Sequence, residues 1–91
     1  MNLYLLTQSE NTDYDTYDSC VVVAVTPAAA RKIHPNGDNY DNRQEPGNKW
    51  NNTYPSGDWT SDPKKVTATL IGEAHKSLKE NSVVIYSFNA G

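Results

Sequence analysis

Short apolar runs alternate with long polar stretches along this chain. The apolar runs fall at residues 3–7, 20–25, 65–71 and 83–88. Each run has the length and the β-branched or aromatic content of a strand. Residues 20–25 read Cys-Val-Val-Val-Ala-Val, which predicts a central strand buried on both faces. In residues 65–71, apolar and polar positions alternate, which predicts a half-buried strand.

A helix is predicted directly after the second apolar run. Thr26 suits the N-cap, because its hydroxyl can accept a free N–H of the first turn, and Pro27 suits the first helical position. Ala29, Ala30 and Ile33 share one face at helical spacing, so this face should pack on the sheet. Pro35 ends the helix after about two turns.

The order of elements predicts one small α+β domain. A further one or two helical turns are predicted at residues 73–80, and the chain then reads β-β-α-loop-β-(α)-β. Its 91 residues allow a single domain over positions 1–91 with one modest core. We expect a mostly antiparallel four-stranded sheet with the first helix on one face.

The segment at residues 35–63 lacks periodicity and is rich in loop-forming residues. It holds four of the five prolines, six asparagines and both tryptophans. Long connections of this kind are functional or disordered, and disordered segments are poor in aromatic residues. We therefore predict an ordered, working loop. Its large aromatic side chains could stack on a planar ligand, anchor a protein partner or fold back over the sheet; they are Trp50, Tyr54 and Trp59.

A second unusual segment, residues 12–19, combines aspartate with tyrosine. Three aspartates are too few for calcium, because the further ligands, the glycine and the distal glutamate of an EF-hand loop are missing, so no metal site is assigned. The segment could be a solvated turn. It could also form a contact surface, because tyrosine offers large amphipathic area and carboxylates attract cationic side chains. The candidate contacts here are Tyr14, Asp15, Tyr17 and Asp18.

Charge and motifs limit the classes of function. The net charge is −3 and the eight basic residues are scattered, which argues against direct binding of nucleic acid. No nucleophile elbow, phosphate-binding loop, dinucleotide fingerprint or zinc-helix motif is present, so no enzyme activity and no cofactor is predicted. Cys20 should pack as a small hydrophobe, and His34 should cap the end of the helix. Without a signal-like start or an apolar span, we expect a cytoplasmic protein.

Five blocks of the chain resemble small proteins encoded by phages and prophages. The blocks are Leu-Tyr-Leu-Leu-Thr at 3–7, Tyr-Asp-Thr-Tyr-Asp-Ser at 14–19, Ala-Arg-Lys-Ile-His-Pro at 30–35, Leu-Ile-Gly-Glu-Ala at 70–74 and Ser-Phe-Asn-Ala-Gly at 87–91. The resemblance carries no activity and no site residues. It implies a setting, namely a phage product in a bacterial cytoplasm, where small acidic phage proteins often bind host machinery.

Two functions follow as hypotheses. The first is a non-enzymatic, phage- or prophage-encoded protein that inhibits a host component, such as one used in antiviral defence, by stoichiometric binding. The second is a binder of a nucleotide or similar small molecule, in which loop aromatics stack on a base and Arg43, Lys49 or Lys64 lies near a phosphate. A homodimer is also expected, because a four-stranded sheet leaves edges that can pair with another chain.

Overall fold

A four-stranded antiparallel sheet forms the frame of the protein. The computed structural model describes residues 1–12, 14–40 and 58–89. The strands lie in the order β3-β1-β2-β4. They are β1 (Asn2–Thr7), β2 (Thr16–Ala24), β3 (Thr67–Glu73) and β4 (Ser82–Asn89). The predicted α+β class, with a small antiparallel sheet, is confirmed. Among the described residues, no helix is long and apolar enough to cross a membrane.

Strand β2 lies at the centre of the sheet, as its apolar run predicts. It pairs with β1 on one side and with β4 on the other. It begins at Thr16, ahead of the apolar run, because Thr16 and Tyr17 pair with Asn89 and Phe88 at the end of β4. Part of the Tyr–Asp segment is therefore strand, where the sequence alone predicts only a loop.

The first helix is shorter than predicted. Helix α1 (Pro27–Ala30) is a single turn, begun by the Thr26 hydroxyl, which accepts the N–H of Ala29 at 3.1 Å. The chain then turns, because Ile33 forms a β-bridge with Asn39, which takes its backbone out of the helix. Ala30 and Ile33 are nevertheless fully buried, so the predicted inner face is correct.

Because α1 is so short, its cap should contribute measurably to stability. We expect Thr26→Ala to lower the free energy of unfolding by about 1 kcal/mol, since the Ala29 N–H loses its acceptor. Urea denaturation followed by circular dichroism measures this loss. Thr26→Ser keeps a hydroxyl and should retain wild-type stability. Equal stability of the two variants would show that the cap contributes nothing.

The second predicted helix, at residues 73–80, is wrong. The chain from Ala74 to Asn81 forms turns that carry it from β3 to β4, past the ends of the two central strands. Three inter-strand spacings, about 14 Å, separate β3 from β4. An eight-residue helix would span only about 12 Å. The connection is instead held at both ends, by Ala74 N–H to Met1 O at 3.0 Å and Asn81 N–H to Val23 O at 2.8 Å.

The core lies between the sheet and the segments around α1. Alternating residues of the central strands supply one side, and helix and loop residues supply the other. Cys20 belongs to this core as predicted, and burial raises the pKa of its thiol to about 12. The core side chains are Tyr4, Leu6, Cys20, Val22, Ala24, Ala30, Ile33, Trp59 and Val66.

Candidate binding surface along strand β4

The Tyr–Asp segment meets the end of β4. The Asp15 N–H donates to the Asn89 carbonyl, which fastens the turn before β2 to the last residue of β4. Asp18, on β2, is exposed and accepts a hydrogen bond from the Ser87 hydroxyl at 3.1 Å. Tyr14 is 75% exposed. Three of the predicted contact residues are thus grouped at one corner of the sheet.

A β-bulge at Asp18 decides where Tyr17 lies. Tyr17 pairs with Phe88 and Ser19 pairs with Ser87, so Asp18 is an extra residue in β2. Such a bulge shifts the alternation of side chains and redirects those on one side of it. Tyr17 therefore packs on the core face, the face that Cys20 also occupies.

Tyr17 is the centre of an aromatic group at the edge of the sheet. Its ring meets Phe88 edge to face at a centroid distance of 4.8 Å and Tyr86 at 5.3 Å. Its ring also packs edge to face with the His34 ring at a centroid distance of 5.7 Å. Edge-to-face packing of this kind adds stability beyond area burial. Burial, reinforced by the Asp58 carboxylate, raises the pKa of the Tyr17 phenol.

His34 is a buried residue that supports Tyr17 and does not cap α1 as predicted. Its side chain is 1% exposed. Nδ1 accepts the Asn36 N–H at 3.1 Å, which places the ring proton on Nε2, and Nε2 donates to Asp58 Oδ1 at 3.2 Å. Burial lowers the pKa of His34, and the nearby Asp58 carboxylate only partly opposes this effect. The ring is therefore neutral near pH 7.

Trp59 lies in the core, which removes it from the predicted contacts. It is 3% exposed and its ring centroid is 6.3 Å from that of His34. Of the three interpretations of the loop aromatics, folding back over the sheet describes Trp59, because the short α1 leaves this face in need of cover. The other predicted loop contacts, Trp50 and Tyr54, lie outside the described residues.

A groove runs beside β4 on the core face. Its volume is about 720 Å³, which is within the range of ligand sites. The turn at residues 35–37 forms one wall, where Gly37 has a φ of +98°, a backbone conformation that favours glycine. Strand β4 forms the other wall, and Tyr17 lies between them. Lys79 and Asn81 also line the groove.

The outer edge of β4 is apolar and uncharged. No strand among the described residues pairs with that edge. Edge strands are commonly protected by charged residues or proline, but residues 82–89 read Ser-Val-Val-Ile-Tyr-Ser-Phe-Asn and contain neither. Four side chains are between 40% and 63% exposed, namely Val84, Ile85, Tyr86 and Phe88. We call this edge, together with Tyr14, Asp15, Tyr17 and Asp18, the β4 edge surface.

The function of this surface has to be inferred from its geometry, because neither a group of metal ligands among the described residues nor a similar protein indicates it. Within the part of the chain that the structure describes, no three His, Cys, Asp or Glu side chains come together as metal ligands. Asp13, the third aspartate of the Tyr–Asp segment, lies outside that part. A comparison with protein families, curated proteins and solved structures found no match for this chain.

Proposed function

We propose that this protein works by binding another protein, which adds a strand to the outer edge of β4. The observation behind the proposal is an uncharged edge strand with four exposed apolar side chains, beside a groove of about 720 Å³. In strand addition, backbone hydrogen bonds supply affinity and pockets for alternate side chains supply specificity. The groove is well placed to receive one such side chain of the partner.

The charges around the edge indicate what the partner carries. Asp15 and Asp18 are exposed carboxylates at the end of β4, next to the exposed ring of Tyr14. A cationic side chain on the partner would pair with them, and arginine could also stack on the tyrosine ring. The proposed partner segment is therefore extended, apolar over the groove and basic near the end of β4.

The setting of the partner comes from the resemblance to phage proteins. We extend the proposal to a host protein of a bacterial cytoplasm, which this protein inhibits by stoichiometric binding. A component of antiviral defence is the class of host protein that this setting favours. The lack of catalytic motifs in the sequence supports a non-enzymatic role.

A charge placed on the edge tests this proposal. Tyr86→Lys puts an ammonium group where the partner strand would pack, and we expect binding to fall at least about tenfold. The tagged protein is first purified gently from a bacterial lysate, and native mass spectrometry identifies what it holds. Titration of that purified partner against the wild type and the variant then measures the loss.

The opposite edge of the sheet provides a matched control. Leu70 on β3 is 60% exposed and Tyr86 is 56% exposed, so Leu70→Lys makes the same kind of change at the other edge. Leu70→Lys should bind like the wild type, and both variants should keep the circular dichroism spectrum of the fold. Unchanged binding by Tyr86→Lys, or equal loss in both variants, would reject the β4 edge surface as the site.

A further inference from the structure

A second concave surface lies away from β4, between α1 and β3. It consists of two adjoining hollows of about 440 and 470 Å³, both lined by Lys32, Pro63 and Lys64. Arg31 lines the first hollow and Tyr40 lines the second. Because β3 and β4 are opposite edges of the sheet, this groove is separate from the β4 edge surface.

Three cationic side chains line this groove, and among the described residues none of them is in an ion pair. Lys65, nearby, pairs with Glu10 at 3.7 Å. By contrast, Arg31, Lys32 and Lys64 form no ion pair with a carboxylate of the described residues. Like charges held close together repel one another, and in a chain of net charge −3 such a group is unexpected. A bound anion would remove the repulsion.

Among the described residues, one carboxylate lines this groove, so the three cations outnumber it. Asp62 lies in the second hollow and its Oδ1 accepts the backbone N–H of Lys64 at 2.9 Å, so it caps the 3₁₀ turn Pro63–Lys65. Arg31 is also held in place, because its Nε donates to the Val66 carbonyl at 3.2 Å. Its two terminal nitrogens are left for a ligand, and a side chain held in advance loses less entropy on binding.

The floor of the groove is apolar. Ala28, Pro63, Val66 and Ala68 line the first hollow together with the cations. Tyr40 contributes an aromatic ring to the second, and it is partly buried against the core. Each hollow has a volume typical of small-ligand sites, which combine apolar walls with a few placed polar groups. The ligand therefore has an anionic group and an apolar or planar body.

We propose that this groove binds a small molecule that carries a phosphate monoester and a planar or apolar body, as a mononucleotide does. A phosphate monoester has a charge of about −1.5 to −2 near pH 7. It therefore balances three cationic side chains better than a single carboxylate does. Lys64 is one of the cations for which the sequence predicts a place near a phosphate. Of the aromatic side chains among the described residues, Tyr40 is one that lines the groove.

Titration with adenosine monophosphate tests the proposal by backbone amide NMR at low salt. We expect saturable shifts around residues 28–32 and 63–68. The double variant Lys32→Gln, Lys64→Gln should weaken binding about tenfold or more, because two charged contacts are lost. For a matched comparison of single charges, Lys64→Gln should weaken binding, whereas Lys76→Gln removes the same charge from a residue that lines neither groove and should bind like the wild type.

Four outcomes would overturn the proposal. The absence of saturable shifts with millimolar adenosine monophosphate would remove the site. Equal binding of adenosine would show that the cations play no part, and equally tight binding of inorganic phosphate would show that the apolar floor plays none. Equal weakening by Lys64→Gln and Lys76→Gln would show that the effect depends only on net charge. None of these results bears on β4, so the two proposals fail separately.

Discussion

Replacing Trp59 with alanine is expected to lower the free energy of unfolding by about 3–5 kcal/mol, the usual cost of truncating a buried large aromatic residue. Trp59 is 3% exposed and belongs to the core on the α1 face of the sheet. Since a domain of this size is stable by only about 5–15 kcal/mol, the variant should lose a large share of its stability. Urea denaturation followed by circular dichroism measures the loss.

Trp59→Phe separates the contribution of ring packing from that of the indole N–H at this position. The Trp59 Nε1 is buried without a hydrogen-bond partner among the described residues. Trp59→Phe removes this unpaired donor and keeps much of the ring, so its loss of stability should be clearly smaller than that of Trp59→Ala. If Trp59→Ala were as stable as the wild type, Trp59 would not belong to the core. The contact role predicted from the sequence would then be open again.

The local sequence pattern predicts some parts of this fold correctly and others wrongly. The four strands, the Thr26 cap and the inner face of α1 depend on neighbours along the chain, and these predictions are confirmed. The prediction of a half-buried strand at 65–71 is wrong in its burial, because β3 begins at Thr67 and has no buried residue. The failure at residues 73–80 has a different cause. Their composition permits a helix, but they must reach from β3 to β4, and that distance is known only once the strand order is known.

The candidate site shows the same division. The Tyr–Asp segment is visible in the sequence, because its composition is unusual. Its neighbours Tyr86 and Phe88 are not, because they join Tyr17 only through the pairing of β2 with β4 and through the bulge at Asp18. The contact of His34 with Asp58 likewise spans a long loop. Residue type can therefore suggest a site, but the register of the sheet determines which residues complete it.

Acidification below about pH 6.5 is expected to destabilise the protein through His34. Burial lowers the pKa of His34 in the folded state from its ordinary value of 6.5, despite Asp58 and Asp38 nearby. Below pH 6.5 the unfolded chain therefore binds more protons than the folded one, and stability falls with pH. Above pH 6.5 both forms are neutral and the contribution is constant. One such group changes stability by at most about 1.4 kcal/mol per pH unit.

Two histidine variants isolate this effect. His75 is exposed, so His75→Gln should keep the wild-type slope of stability against pH between about 6.5 and 5. His34→Gln can still donate to Asp58 but cannot be protonated, and its slope in that window should be smaller. If His34→Gln had the same slope of stability against pH as the wild type, the acid sensitivity would come from groups other than His34. A wild type that gained stability on acidification would mean that pairing with Asp58 outweighs burial, and that His34 becomes charged inside the fold.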